Sequence, residues 1–177
     1  MSDLWVFGYG SLMWRPGFPY LEARPGRMFG LHRSLCVYSV FHRGTAERPG
    51  LVLGLDQGGS CRGVVFRVAG KEREAVLDYL RERELVTDVY LERARPVLVE
   101  GHGEPVAATT YLVDRSHRQY AGVLPYDRLL HFVRTGQGQS GANRDYVVQT
   151  AAHLSELGIS DQTLERLAAD LKAEGTG

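Results

Sequence analysis

The sequence predicts an α+β protein, and three features support this fold class. Short runs rich in apolar and β-branched residues fill the first two thirds of the 177-residue chain. One segment with helical spacing, from about Lys71 to Leu85, interrupts these runs. The last third, from about residue 125, has helical spacing throughout. Strands with one inserted helix, followed by helices, favour an α+β domain; the strands look too short and too closely spaced for regular βαβ units.

The predicted strands are short segments that turn residues separate. Leu4–Phe7 is an apolar run that stops at a glycine, which is typical of a buried strand. Arg62–Val68 is rich in β-branched residues and follows Gly58-Gly59, which we interpret as a turn. The full set of predicted strands is Leu4–Phe7, Leu35–Val40, Leu51–Leu55, Arg62–Val68, Arg93–Val99 and Val106–Leu112.

Three helices are predicted after residue 125. The first begins near Pro125, which is tolerated in a first helical turn, and reaches about Arg134 before Gly136. The second runs from about Ala142 to Leu157, and Gly158 ends it. The third begins at Ser160 or Asp161, which are good N-cap residues, and carries leucines on one face. We expect one domain over residues 1–177 with a short disordered tail from Ala173 to Gly177.

Composition and charge exclude several classes of function. The 21 basic and 21 acidic residues balance, so bulk charge does not favour nucleic acid or an anionic membrane. No apolar stretch approaches the roughly 20 residues needed to cross a bilayer. No secretory signal is visible, and two cysteines cannot build a disulfide framework. We therefore expect a cytoplasmic protein that does not insert into a membrane.

The cysteines and histidines do not form a recognisable catalytic or metal-binding pattern. Cys36 and Cys61 lie in apolar strand contexts, where small buried thiols are common and inert. The six histidines show no HxxxH or HExxH spacing. The sequence therefore favours neither a cysteine nucleophile nor a metal centre.

The end of the first predicted helix places one glutamate towards the core. At about 100° per residue, Glu84 falls between Leu80 and Leu77 on the apolar face, whereas Glu82 falls on the opposite side. A carboxylate on a core-facing stripe loses hydration, so its pKa rises, which suits a general base near neutral pH. Two other interpretations remain open: a solvated charge run at a fraying helix end, or a structural ion pair between Arg83 and Glu84.

A glycine-flanked aromatic follows the first strand. The segment Phe7–Leu12 reads FGYGSL, and its two glycines allow a sharp turn with exposed amides that could bind an anion. This segment resembles the first motif of the ChaC family of γ-glutamylcyclotransferases. Tyr79-Leu80-x-x-Arg83-Glu84 resembles the ChaC segment that ends in the family's catalytic glutamate, so the resemblance assigns that role to Glu84.

Further matches follow in the family's order and carry the resemblance to Tyr146. They are His42-Arg43-Gly44, Pro49-Gly50, Gly59–Val64, Tyr120-Ala121-Gly122 and Gly138–Tyr146. The chain departs from the family pattern at Ala121, at Asp145, and at Arg33–Tyr38, where eukaryotic members have Arg-Arg-Phe-Trp-Gln. These departures concern substrate contacts rather than the reaction type.

The resemblance implies a small mixed β-barrel or curved sheet flanked by helices, and cleavage of glutathione to 5-oxoproline and cysteinylglycine. It implies no metal and no organic cofactor. Glu84 is the expected catalytic residue, and the expected substrate-binding turn consists of Tyr9, Gly10, Ser11 and Leu12. Arg43 is expected either to contact a substrate carboxylate or to form a surface ion pair. Tyr120 is expected either to line the pocket or to be a core aromatic, and Ser140 and Asn143 to cap helices.

Two alternatives to this function remain. One is a cyclotransferase that acts on other γ-glutamyl amines or amino acids. The other is a non-catalytic binding module that regulates a partner. No nucleic acid and no obligate protein partner is expected; the expected partner is the small-molecule substrate.

Overall fold

The computed structural model describes residues 1–175 and contains a mixed set of strands and helices. The strands are β1 (Leu4–Gly8), β2 (Glu22–Ser39), β3 (Gly50–Val68), β4 (Tyr90–Val99), β5 (Val106–Val113), β6 (Gln137–Gly138) and β7 (Gly141–Ala142). The helices are α1 (Arg73–Glu84), α2 (Tyr126–Thr135), α3 (Asn143–Glu156) and α4 (Gln162–Glu174). The predicted α+β class is confirmed.

Two compact units make up the structure. The first contains Met1–Ser34 and Gly54–His117, and the second contains Leu35–Leu53 and the chain from Arg118 onward. The long strands β2 and β3 each contribute to both units. The expectation of a single domain over residues 1–177 stays a prediction.

A closed barrel characterises the first unit. Its strand order is β1-β3-β2-β4-β5, and a parallel pairing of Val6 in β1 with Thr109 in β5 closes it. The other pairings of β1 with β3, β2 with β4 and β4 with β5 are antiparallel. Of the two architectures that the resemblance implied, the structure therefore has the barrel.

The core of the first unit lies between the barrel and α1. Apolar side chains from β1, β3 and β5 pack against one face of α1, and Leu80 is fully buried. The buried members of this cluster are Leu4, Val6, Leu12, Phe18, Phe66, Val68, Val76, Leu77, Leu80 and Tyr111. Packing of this face fixes the rotation of α1 about its axis, and therefore the direction of each side chain at its carboxyl-terminal end.

The second unit is mainly helical. Helices α2, α3 and α4 pack in sequence, and α4 buries Leu164, Leu167 and Leu171 on one face. The side chain of Asp161 accepts a hydrogen bond from the Leu164 N–H, which confirms Asp161 as the N-cap. A two-stranded hairpin, β6-β7, precedes α3 and was not predicted.

Three predictions of secondary structure were wrong. β2 begins at Glu22 rather than Leu35, and its early part is polar and largely exposed, so it lacks the apolar pattern of a buried strand. β3 is one strand through Gly58-Gly59, where φ is +104° and +66°; the glycines permit an unusual strand conformation and do not end the strand. Ala173 and Glu174 belong to α4 rather than to a disordered tail, while Thr176 and Gly177 lie outside the described residues.

Candidate active site

The glycine-flanked aromatic segment forms a tight turn at the end of β1. A short 3-10 helix, Ser11–Met13, follows directly, with the Met13 N–H donating to the Gly10 carbonyl at 2.9 Å. The Arg15 N–H donates to the Ser11 carbonyl at 2.8 Å. The first N–H groups of a helical turn have no carbonyl partner inside that turn, so this geometry is compatible with anion binding.

Close backbone packing explains why glycines occur at this strand end. A Cβ added at Gly63 would lie 2.3 Å from the Gly8 carbonyl oxygen, and one at Gly8 would lie 3.0 Å from the Leu12 Cβ. β3 therefore approaches the end of β1 more closely than any side chain would allow.

Glu84 is the last residue of α1 and is withdrawn from water. Its side chain is 19% exposed, whereas Glu82 lies on the exposed side of the same helix. The helical-wheel prediction for these two residues is confirmed, and the interpretation of Glu84 as part of a solvated charge run is wrong. Burial raises the pKa of the Glu84 carboxyl above its ordinary value, and the nearby Arg83 charge opposes that rise without cancelling it.

Arg83 connects this carboxylate to the turn. Its Nε lies 3.5 Å from the Glu84 Oε1, so the predicted ion pair is present. Its Nη2 donates to the Ser11 Oγ at 3.0 Å. Its Nη1 donates to the carbonyl oxygens of Arg15 (2.6 Å) and Pro16 (3.2 Å) and to the Tyr79 hydroxyl (3.1 Å). One guanidinium thus contacts the 3-10 helix, the segment after it and the carboxylate.

A second polar group lies between α1 and the barrel. Arg81 donates to both carboxylate oxygens of Glu92 at 3.0 Å, and the Tyr111 hydroxyl donates to the Glu92 Oε2 at 3.1 Å. Burial and the Glu92 charge raise the pKa of Tyr111, and the charge of Glu84 raises it further. The Tyr111 hydroxyl is therefore a neutral donor in the electrostatic surroundings of Glu84.

The two remaining predicted site residues belong to the second unit. Arg43 donates from Nη1 to the Ala142 carbonyl at 3.2 Å, and its guanidinium lies 5.6 Å from the centre of the Tyr146 ring. Arg43 forms no ion pair within residues 1–175, and its contact with a substrate carboxylate stays a prediction. Tyr120 is half-buried and forms a β-bridge with Val37.

The interpretation of Ser140 and Asn143 as helix caps was wrong. Ala142 is the N-cap of α3, and Asn143 is the first helical residue. The Asn143 side chain is fully buried; it accepts from the Leu51 N–H at 2.9 Å and donates to the Leu51 carbonyl at 2.8 Å. The Ser140 Oγ lies 2.8 Å from the His42 Nδ1. Both side chains contact residues that are distant in the sequence, and neither caps a helix end.

The first unit thus brings together Glu84 and the predicted turn Tyr9–Leu12. Sequence reasoning missed the residue that joins them, because it treated Arg83 only as a partner of Glu84. The spacing of Tyr79 and Arg83, four residues apart on one helix face, was a usable signal. In residues 1–175, no group of three or more His, Cys, Asp or Glu side chains is arranged to hold a metal ion, and no helix has the length and apolar character to cross a membrane.

The fold is shared with solved structures of known proteins. The structure of a yeast γ-glutamyl cyclotransferase specific to glutathione superposes with a TM-score of 0.85, at 21% identity, and the match covers 98% of this chain and 97% of that chain. The architecture is therefore that of the γ-glutamylcyclotransferase fold class.

The chain belongs to the ChaC-like protein family, whose sequence profile matches residues 4–174. Among its relatives, a glutathione-specific γ-glutamylcyclotransferase of Escherichia coli (strain K12) is 32% identical over 171 residues, covering 97% of this chain and 74% of the relative. Glutathione-specific γ-glutamylcyclotransferase 1 of Homo sapiens is 34% identical over 176 residues, covering 98% and 79%.

Proposed function

We propose that this protein is a γ-glutamylcyclotransferase that cleaves glutathione to 5-oxoproline and cysteinylglycine. Membership of the ChaC-like family and the activity for which its relatives are named support the reaction class and the substrate. The observation that carries the proposal is the withdrawn Glu84 carboxylate, which one arginine links to the turn at Ser11.

The reaction is an intramolecular acyl transfer. The α-amine nitrogen of the γ-glutamyl group attacks its own γ-carbonyl carbon, so a carbon–nitrogen bond forms and closes a five-membered ring. The amide bond to the cysteinylglycine nitrogen breaks, and that nitrogen takes up a proton. Water is not consumed, and no covalent enzyme intermediate is needed.

Glu84 takes both proton-transfer roles in this scheme. Its carboxylate removes a proton from the α-ammonium and passes it to the leaving nitrogen. The second proton that the ring nitrogen loses on becoming an amide goes to the released amine. Because burial raises its pKa, the carboxylate is a stronger base than an exposed glutamate, while its conjugate acid can still donate a proton.

The turn Tyr9–Leu12 binds the substrate. Backbone amides of this segment bind the substrate carboxylate or the oxyanion that develops on the γ-carbonyl. Ring closure depends on the orientation of the γ-glutamyl arm, so the binding residues must hold that arm close to its reactive geometry. We assign Arg43 and Tyr120 to substrate binding as well. No metal or organic cofactor takes part in this scheme, and we infer a cytoplasmic location for the enzyme.

To test this proposal, the purified protein is incubated with glutathione and the products are identified by mass spectrometry. Formation of both 5-oxoproline and cysteinylglycine, absent from a sample without protein, is the expected result. A parallel series with γ-glutamyl amino acids tests the leaving group. Turnover of these compounds without turnover of glutathione would overturn the substrate assignment, and turnover of neither would favour a binding module.

A further inference from the structure

Arg83 makes more contacts than an ion pair with Glu84 requires. A solvated glutamate–arginine pair needs one approach between the two side chains. Here the ion-pair distance to Glu84 is 3.5 Å, and the shorter contacts all go elsewhere: to Ser11, Arg15, Pro16 and Tyr79, at 2.6–3.2 Å. Three of these four hydrogen bonds therefore join the guanidinium to the turn and to the chain segment that follows it.

The segment that Arg83 holds is closely packed against α1. Gly17 has φ +74°, and a Cβ there would lie 2.1 Å from the Tyr79 hydroxyl oxygen. Phe18 is buried, and its ring lies 6.3 Å from the ring of Tyr79 in an edge-on arrangement. The carbonyl oxygens of Arg15 and Pro16 therefore reach Arg83 from a segment whose path the helix itself determines.

We infer that Arg83 is a positioning residue of the cyclotransferase reaction, which holds the 3-10 helix Ser11–Met13 in register with the Glu84 carboxylate. This inference rests on the proposed function of Glu84 and of the turn. Only arginine has several N–H donors in a rigid plane, so only arginine can bond the Ser11 hydroxyl, two carbonyl groups and the Tyr79 hydroxyl while its charge stays beside Glu84.

Two consequences separate this role from a merely structural one. The positive charge of Arg83 lowers the pKa of Glu84 against the effect of burial. Loss of the charge must therefore raise that pKa, and the acidic limb of the activity profile must move to higher pH. If the planar N–H donors of Arg83 are lost but its positive charge is kept, kcat must instead fall while the pH–activity profile hardly moves.

The other groups around Glu84 must be held constant in this test. Tyr79 lies on its own helix, and Tyr111 on β5 interacts with its charge. Glu92 on β4 acts through its hydrogen bond from Tyr111, and Arg81 neutralises Glu92. Tyr9 is the titratable group of the turn itself. None of these five groups is changed in the variants below.

The experiment compares Arg83→Gln and Arg83→Lys with wild type over a range of pH, and Arg73→Gln is the matched control. Arg73 lies at the start of the same helix, donates to the Asp3 carbonyl at 3.4 Å, and makes no hydrogen bond or ion pair with the turn in the described residues. Its replacement removes the same charge from α1. We expect kcat/KM of the control to stay within about twofold of wild type, and that of Arg83→Gln to fall by about 100-fold, since a small misplacement of reacting groups has costs of this size.

We expect Arg83→Gln to shift the acidic limb of the pH–activity profile to higher pH. We expect Arg83→Lys to have a lower kcat than wild type, with the acidic limb of its profile at nearly the same pH. Ser11→Ala, which removes a single bond to the guanidinium, is a milder variant in case Arg83→Gln fails to fold, and should also lose kcat. If wild type converts glutathione while both Arg83 variants keep its kcat and its pH profile, the inference is wrong and the proposed function stands.

A second measurement does not depend on turnover. An NMR titration of the Glu84 side-chain carboxyl should give a higher pKa in Arg83→Gln than in wild type and an unchanged value in Arg73→Gln. The amide signals of Ser11–Met13 should move in both Arg83 variants. If wild type is inactive on every γ-glutamyl compound, the proposed function fails; unchanged amide signals and an unchanged Glu84 pKa in the Arg83 variants would overturn the positioning role in any case.

Discussion

Two polar side chains at helix ends, one in each unit, have been withdrawn from water in different ways. Asn143 opens α3, is fully buried, and has both its amide oxygen and its amide nitrogen bonded to the backbone of Leu51. Glu84 closes α1, is largely buried, and has one cation at 3.5 Å. The Asn143 amide replaces its hydrogen bonds to water with hydrogen bonds to the backbone, whereas the Glu84 carboxylate does not.

The difference between Asn143 and Glu84 indicates which buried polar group stabilises the fold and which one can act in catalysis. A buried group with satisfied hydrogen bonds stabilises the fold and has no spare bonding capacity for a ligand. A carboxylate that burial has made more basic is costly to the fold but useful for proton transfer. We therefore expect substitutions at Asn143 to affect stability first, and substitutions at Glu84 to affect turnover first.

The largest expected effect is the loss of turnover in Glu84→Gln. The amide keeps the shape of the side chain but cannot accept the proton, so we expect kcat with glutathione to fall by about 1,000-fold or more. Glu84→Asp keeps the carboxylate but retracts it by one methylene, so its loss should be smaller. Initial-rate kinetics at saturating glutathione would measure both.

Glu82→Gln is the matched control, because Glu82 lies on the exposed side of the same helix. Its kcat should stay within about twofold of wild type, as expected for a substitution away from the reacting groups. Equal losses at the two positions would remove the distinction between them, and full activity of Glu84→Gln would disprove the role of Glu84 as the base.

The second effect is a loss of stability in Asn143→Ala. Removal of the side chain leaves the N–H and carbonyl of Leu51 without their buried partner, so the free energy of unfolding should fall by about 3 kcal/mol. Urea denaturation followed by circular dichroism measures this. Gln149→Ala, at an exposed position of the same helix, should change the value by less than about 0.5 kcal/mol. A loss no larger at Asn143 than at Gln149 would contradict the prediction.

The third effect concerns the pH dependence of stability. The pKa of Glu84 lies above its ordinary value of 4.5 in the folded protein. Its contribution to stability is therefore complete below that ordinary value and is lost as the pH rises through the raised value. Glu84→Gln cannot ionise, so it should unfold at a higher temperature than wild type above the raised pKa, and with no such advantage at about pH 4 or below.

Thermal unfolding of wild type, Glu84→Gln and Glu82→Gln at several pH values tests this sign. The Glu82 variant should differ from wild type by a small amount that does not follow the same pH course. If Glu84→Gln is less stable than wild type above the raised pKa, the ionised carboxylate stabilises the fold. Glu84 would then resemble Asn143 in its effect on stability, and the comparison between them would be wrong.

The smallest expected effect is the loss of a half-buried cap in Asp161→Ala. The Asp161 carboxylate accepts from the Leu164 N–H at 3.1 Å at the start of α4, and water can replace this bond when it is lost. The free energy of unfolding should fall by about 1 kcal/mol. Thr163→Ala, at an exposed position that is the second residue of α4, is the control. A loss at Asp161 as large as that at Asn143 would show that burial is not what separates the two sites.

The sequence by itself determined the features that depend on neighbouring residues. The spacing of Leu77 and Leu80 located the buried face of α1 and therefore the inward direction of Glu84. The segment FGYGSL identified the turn after β1, and the N-cap of α4 is Asp161, one of the two residues predicted for it. Helical periodicity and capping are local, so a single chain segment contains the information needed to predict them.

Only the tertiary structure decided the features that depend on distant partners. The early part of β2 is polar, and it is a strand because it pairs with β4, where Arg27 lies opposite Leu98. Asn143 bonds Leu51, a residue 92 positions away, and Arg83 bonds Ser11, 72 positions away. Hydrogen bonds between segments so far apart in sequence leave no periodic pattern in either one, because folding alone brings the donor and the acceptor together.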